Sequence, residues 1–283
     1  MITGRAAALL LALPSPLVAQ TLGYEGALSV ASGDYIFTVP TSTWTLSTGA
    51  ALTAGRFTLR AAWPVNVQNT TLVTASGPGG IPSGGSWSGA VADSGRGRGG
   101  GHGGGGGEPI APPASSVVGY QVALGDPLLH ATWQAVAGAS TSVRVGLGTK
   151  VPVADTATFG TGEWDVGAIA SLTHLFGTAG FLGVDASYWH LGDLPDLDFT
   201  DPLTLTVSYG RSLGLSWGGS VYGTAGTTTM QGYQPPVLVG AMVTRFGRVG
   251  AWGVGASVGF TESVAAFSLT ATWSVRMGRW GRL

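Results

Sequence analysis

A chain of 283 residues with only 10% charged side chains does not match a soluble domain, which carries about a quarter. The net charge of −1 gives no basis for a nucleic-acid partner, and the absence of cysteine removes disulfide scaffolds and cysteine metal sites. Mean hydropathy is high at +0.31, yet beyond the N-terminus no uncharged apolar run of about 18 residues occurs. The hydrophobicity must therefore be carried in alternation.

Residues 1–19 read as a signal peptide, with Arg5 as the positive region, an apolar stretch over 6–13 and a cleavage site at Leu17-Val18-Ala19. The mature chain, 20–283, then starts near Gln20. Residues 26–32 form a short first strand. Residues 44–53 alternate Trp44, Leu46, Thr48, Ala50 and Leu52 against small polar neighbours, and Ala54-Gly55 is a tight turn. Residues 56–67 follow with Phe57, Leu59, Ala61, Trp63, Val65 and Val67 on one face. Pro64 cannot donate a ladder bond there and marks a bulge or a rim. The next stretch, 68–126, contains GPGGIPSGGS and GRGRGGGHGGGGGEP, which cannot bury a core and read as a long glycine-rich external loop. Arg96, Arg98 and His102 lack aromatic interleaving, so RNA binding does not follow.

After a strand at 127–136, the pattern is sharpest over 142–190. Val143, Val145, Leu147, Thr149 and Val151 oppose Ser142, Arg144, Gly146, Gly148 and Lys150. Trp164, Val166, Ala168, Ala170 and Leu172 oppose Glu163, Asp165, Gly167, Ser171 and Thr173, with Ile169 as the exception; Leu182, Val184, Ala186 and Tyr188 oppose Gly183, Asp185 and Ser187. A strand of about ten residues with one apolar face has the length and pattern of a membrane-crossing strand. Further strands fall at 203–210, 215–225, 237–245, 249–260 and 264–276. The total is about twelve, an even number, with short connections on one side and long ones on the other. The expectation is an all-β, transmembrane antiparallel barrel of the outer-membrane type, both chain ends on the short-turn side. Trp44, Trp63, Trp164, Tyr188, Trp217, Trp252 and Trp273 fall on outward faces and suit interfacial girdles.

The segments Lys150-Val151-Pro152-Val153-Ala154-Asp155, Gly160-Thr161-Gly162 with Asp165, Ala31-Ser32-Gly33-Asp34-Tyr35 with Val39-Pro40, Gly77-Pro78-Gly79-Gly80 and Leu124-Gly125-Asp126 carry a resemblance. The sequence resembles the outer-membrane transporter-like proteins named after the meta-pathway of phenol degradation. That resemblance implies a barrel and a transport role. One departure is the end of the chain, Arg279-Trp280-Gly281-Arg282-Leu283, where such barrels usually finish on an aromatic residue.

The inward faces are mostly Gly, Ser, Thr and Ala, and their few ionisable residues are the candidate lumen-lining set: Arg60, His130, Arg144, Lys150, Glu163, Asp165, Asp185 and Arg276. Folding the hairpin about residues 157–158 sets Lys150 opposite Asp165 as a cross-strand ion pair. Such charges either form a selectivity ring or compensate one another in a polar lumen. No catalytic motif is present: His174 sits at a short turn, Ser187 and His190 have opposite parity, and no G-x-S-x-G occurs. Asp193, Asp196, Asp198 and Asp201 make an acidic loop without the order of a calcium site, and Gly146-x-Gly148-x-Lys150 lacks the rest of a phosphate loop. The expectation is no enzyme, no cofactor and no metal. The partners expected are outer-membrane lipid, small-molecule solutes and the barrel-assembly machinery, with no nucleic acid. The function expected is passive uptake of small molecules, hydrophobic or aromatic ones included; the alternatives are a closed structural or surface-display barrel and a lipid-modifying enzyme.

Overall fold

The computed structural model describes residues 20–74, 81–82, 118–177, 180–194 and 199–280. Residues 1–19, read from sequence as a signal peptide, most of the glycine-rich stretch (Gly77 to Gly80, Arg96, Arg98 and His102 among it), Asp196, Asp198 and residues 281–283 lie outside them.

In chain order the strands are β1 (Gln20–Gly33), β2 (Thr41–Ala54), β3 (Phe57–Thr70), β4 (Val73–Thr74), β5 (Ile81–Pro82), β6 (Val118–Leu124), β7 (Leu128–Ala137), β8 (Thr141–Lys150), β9 (Asp165–Phe176), β10 (Gly180–His190), β11 (Leu203–Ser212), β12 (Trp217–Gly226), β13 (Val237–Phe246), β14 (Gly250–Gly259) and β15 (Phe267–Trp280). From β1 to β3 and from β7 to β15 each strand pairs antiparallel with its sequence neighbour, and β15 returns to β1 to close the wall from Gln20↔Trp280 to Ser32↔Phe267. The β4–β5 pair is separate. β6 and β7 both pair with β3, β6 along Val65 to Thr70 and β7 along Phe57 to Ala62, so the two are one strand broken at Gly125-Asp126-Pro127. The result is a closed antiparallel barrel of twelve strands, with no helix among the described residues.

Closure follows from the backbone. In hydrocarbon every N–H and C=O must find a partner within the protein, and a closed antiparallel ladder supplies them. Side chains then divide by parity. Leu46, Leu59, Leu129, Leu147, Val166, Leu205, Val207, Val239, Val254 and Leu269 are all exposed, which in this fold means exposed to lipid. Aromatic side chains cap both edges of that band. Phe57, Trp133, Phe176, Tyr209, Trp217, Phe246 and Trp252 lie toward the short turns; Trp44, Tyr120, Trp164, Tyr188, Phe260 and Phe267 lie toward the long connections. Trp217 and Trp252 meet edge to face at 5.4 Å, and the Arg245 guanidinium lies 5.7 Å from the Trp217 ring centre. Amphipathic rings and a snorkelling arginine suit the membrane–water boundary.

Three boundaries differ from the sequence reading. β1 begins at Gln20 rather than residue 26, because its β1–β2 and β1–β15 ladders continue past the point where alternation weakens at Gly23, next to a register shift. The stretch 68–126 is drawn in at both ends: β3 runs to Thr70 and β6 starts at Val118. Pro64 sits within β3, where the Pro64 carbonyl accepts the Gly125 N–H at the break between β6 and β7.

Parity makes a direct test. Val207 and Thr206 are neighbours mid-strand, the first exposed to lipid and the second bonded across the interior face to Thr224 Oγ1 at 2.8 Å. Val207→Lys is expected to lower stability in vesicles by ~2–4 kcal/mol, and Thr206→Lys by under about 1 kcal/mol, read from urea midpoints.

Candidate functional site

The interior has two storeys. Toward the long connections, the turn after β1, the chain after β3 and the chain after β10 fold over the barrel mouth and bury an apolar core. It comprises Ile36, Phe37, Leu72, Val73, Trp189, Leu191, Leu194, Phe199 and Met230, with Tyr35, Val39, Leu128 and Tyr233 against it. The turn is shaped by Tyr35, a non-glycine residue at φ 51°, and by the Phe37 N–H donating to the Asp34 carbonyl at 2.9 Å. Burial pushes the Tyr35 hydroxyl up to about 12, so it stays protonated at neutral pH.

Polar groups fasten this cap to the wall. Lys150 Nζ lies 2.8 Å from Asp165 Oδ2, with both side chains essentially fully buried. Lys150 Nζ also donates to Thr161 Oγ1 at 2.6 Å, and Asp165 Oδ1 accepts the Gly192 N–H at 3.1 Å. This is the cross-strand pair expected from the hairpin, set by the register Lys150↔Asp165. It clamps the connections after β8 and β10 together. At the break between β6 and β7, buried Asp126 accepts the N–H groups of Val153 and Ala154 at 2.9 and 2.8 Å. The chain after β8 is thereby held beside Pro127, whose carbonyl accepts the Val151 N–H at 3.0 Å. Among the described residues no strand pairs with the second edge of β6, along which Tyr120, Val122 and Leu124 are exposed.

Beneath the cap, Trp189 lies against the wall at 6% exposure, its ring centre 6.2 Å from that of His130. It fits because the two positions below it are glycines. A Cβ at Gly167 would come within 2.6 Å of Trp189 Cδ2, and one at Gly148 within 2.8 Å of Trp189 Cη2. Such approaches are closer than any side-chain carbon tolerates. Trp189 was not among the residues singled out from sequence, although its parity opposite Tyr188 and its pairing with Gly167 would have placed it inside.

The lower storey is a cavity of about 490 Å³ lined by Glu25, Arg60, His130, Arg144 and Arg276 with threonine, serine and glycine between them. Arg60 pairs with Glu25 at 3.5 Å. Asp185 is on the interior face of β10, separated from Arg144 by Ser171. Of the eight residues proposed from sequence, the structure brings Arg60, His130, Arg144 and Arg276 together and joins Lys150 to Asp165 higher up. Glu163 is a correction: the ladder stops at Lys150↔Asp165, and the chain turns at Gly162 (φ 79°), so Glu163 precedes β9 and is exposed in the connection.

Other candidates resolve as structural contacts. His174 Nδ1 is 2.9 Å from Thr141 Oγ1 at the short-turn end. Outside the wall, Tyr188 Oη donates to Asp201 Oδ2 at 2.8 Å, with His190 Nδ1 at 3.1 Å from both Asp201 oxygens and the Leu191 N–H at 3.3 Å from Oδ1. No serine hydroxyl is bonded into this cluster among the described residues. Partial burial pushes the Asp201 carboxyl up, but the bonds from Tyr188, His190 and the Leu191 N–H outweigh it and leave the group below the usual carboxylate range. Among the described residues no group of three or more histidine or acidic side chains could hold a metal.

Two outcomes are expected. Lys150→Met leaves the Asp165 carboxylate buried without its partner and costs ~3–5 kcal/mol, whereas Lys150→Met with Asp165→Leu recovers most of that loss, measured as urea midpoints in vesicles. Because the folded Asp201 is lowered, its contribution is complete above its unfolded pKa and is lost as pH falls through the folded value. Protection of the Leu191 amide, its exchange compared with the intrinsic rate at each pH, is therefore full at neutral pH and falls as the Asp201 carboxylate is protonated below the usual carboxylate range, and Asp201→Asn removes that dependence.

No known family model matches the sequence, and no curated protein matches it either. Among solved structures the chain is similar to an outer-membrane channel from Pseudomonas putida F1, at 11% identity and a TM-score of 0.59, over 93% of this chain and 97% of that one. Weaker likenesses are to the CymD monoaromatic hydrocarbon channel (10% identity, TM-score 0.46, 91% and 87% covered) and to a Pseudomonas aeruginosa FadL homologue (10%, 0.39, 92% and 89%). The first of these likenesses establishes the fold as an outer-membrane-type barrel.

Proposed function

We propose that this chain is a passive outer-membrane channel for small organic molecules, hydrophobic and aromatic ones included, rather than an enzyme. The observation that carries the reading is the interior itself. A closed wall surrounds a polar cavity of about 490 Å³, while the inward faces above it narrow onto Trp189 and the apolar cap. Small side chains on inward faces leave space, and wall closure alone needs none. The fold likeness to an outer-membrane channel and the sequence resemblance to transporter-like barrels support the same reading, as do the lipid-exposed band and its aromatic borders for an outer-membrane location.

Among the described residues one edge of β6 has no partner strand, and we take that edge as the entry for apolar solutes. Strand edges inside a membrane protein are normally closed, and here Tyr120, Val122 and Leu124 are exposed on the outward face that β6 shares with Val65 and Val67. A solute leaving the outer leaflet beside β6 meets Leu128 and the core around Trp189, then the polar chamber. The cap also favours a second reading, a barrel shut at its mouth with a structural role, because Trp189 and its neighbours pack as a core.

The two separate in planar bilayers. Full-length protein is expected to give steady single-channel conductance, raised severalfold by Trp189→Ala, which removes a ring from the apolar cap over the chamber. Deleting residues 77–107 tests whether the glycine-rich stretch also restricts flow. Silence from wild type and Trp189→Ala, with heat-modifiable gel mobility showing both folded, establishes the closed barrel instead.

A further inference from the structure

The cationic and anionic side chains of this barrel are segregated along its axis. Toward the long connections the described residues carry Asp34, Asp126, Asp155, Glu163, Asp165, Asp193, Asp201 and Glu262, against one cation, Lys150, which is spent on Asp165. Toward the short turns the balance reverses. Arg60, Arg144 and Arg276 line one cavity, with Arg56 at its rim, and its only carboxylate is Glu25.

That carboxylate is engaged by Arg60 at 3.5 Å. Among the described residues no acidic group lies within ion-pair distance of Arg144 or Arg276. Asp185 shares the level of Arg144, but Ser171 stands between them in the ladder, Arg144↔Ser171↔Asp185, and no ion pair forms. Two guanidinium groups thus share a chamber without matching counter-charge, and a structural role for them would call for one. The surrounding side chains are hydroxyl donors: Thr21, Thr53, Thr58, Thr132 and Ser274 also line the cavity. Planar guanidinium forks and hydroxyls match a carboxylate, whose two oxygens accept parallel bonds. Above them the imidazole of His130 lines the cavity, with the buried indole of Trp189 behind it at 6.2 Å between ring centres.

We infer that the lower chamber is a subsite for small organic acids, held by the carboxylate on Arg144 and Arg276 with an apolar or aromatic body toward His130 and Trp189. This deepens the channel reading by naming a substrate class and rests on it for any role in uptake, though binding itself needs only the chamber open at the short-turn end. The focused positive field also makes the lumen prefer anions over cations.

Benzoate binding is measured by titration calorimetry on the folded, detergent-solubilised full chain at low ionic strength, with benzyl alcohol as the uncharged control. Wild type is expected to bind benzoate in preference to benzyl alcohol. Arg144→Gln/Arg276→Gln is expected to lose about tenfold or more in benzoate affinity with benzyl alcohol unchanged, and each single variant to lose part of it. Equal benzoate affinity in wild type and the double variant, or no binding by wild type, overturns the proposal. Reversal potentials under a KCl gradient separate the two readings. Cation preference in a conducting protein contradicts the basic chamber alone, whereas benzoate binding without conductance upholds the subsite and contradicts the channel.

Discussion

Everything in this molecule follows from one constraint: a backbone surrounded by lipid must pair its own polar groups. The β1–β15 ladder, from Gln20↔Trp280 to Ser32↔Phe267, makes the wall continuous. Once the wall closes, parity assigns every strand residue to lipid or interior, and the outward leucines, valines and aromatics need no further cause. The exception is instructive. Among the described residues β6 has one partner strand only, and this is where the chain after β8 is diverted by Asp126 and the Lys150–Asp165 pair. A break in the rule is held in place by buried charge.

That arrangement sets the interior. Buried ion pairs contribute little net stability but are costly to break singly, so Lys150 and Asp165 act as a register device. Their bonds to Thr161 and to the Gly192 amide draw two long connections inward, and the apolar core over the mouth forms from residues those connections bring. Below, glycine at 148 and 167 leaves a recess for Trp189.

The wall was legible in the sequence because alternation is local: Val143 to Lys150 and Asp165 to Leu172 show their faces within a few residues. The Lys150–Asp165 pair was legible by folding one hairpin. β6 was not, since its seven residues follow a glycine-rich run and their partners lie some fifty residues back on β3. The apolar cap was hidden for the same reason. Ile36, Leu72, Leu191, Phe199 and Met230 have no period and meet only through the closed wall. Trp189 was readable from parity, but the recess that Gly167 and Gly148 leave for it forms only across paired strands and has no local signal. Glu163 was misplaced because alternation continues two residues past the point where pairing ends.

The central claim is that lumen-facing residues beneath Trp189 can be reached by small solutes while their neighbours face lipid. The chain has no cysteine, so single cysteines are clean reporters. Thr132 lines the lower chamber, and Ala131 next to it pairs with the outward Leu147 and Leu59. The measurement is labelling of Thr132→Cys and Ala131→Cys in intact cells by a small anionic, membrane-impermeant thiol reagent. The account predicts labelling of the first and protection of the second. Protection of both, in protein shown to be folded, contradicts an accessible lumen, and labelling of Ala131→Cys alone contradicts the assignment of faces.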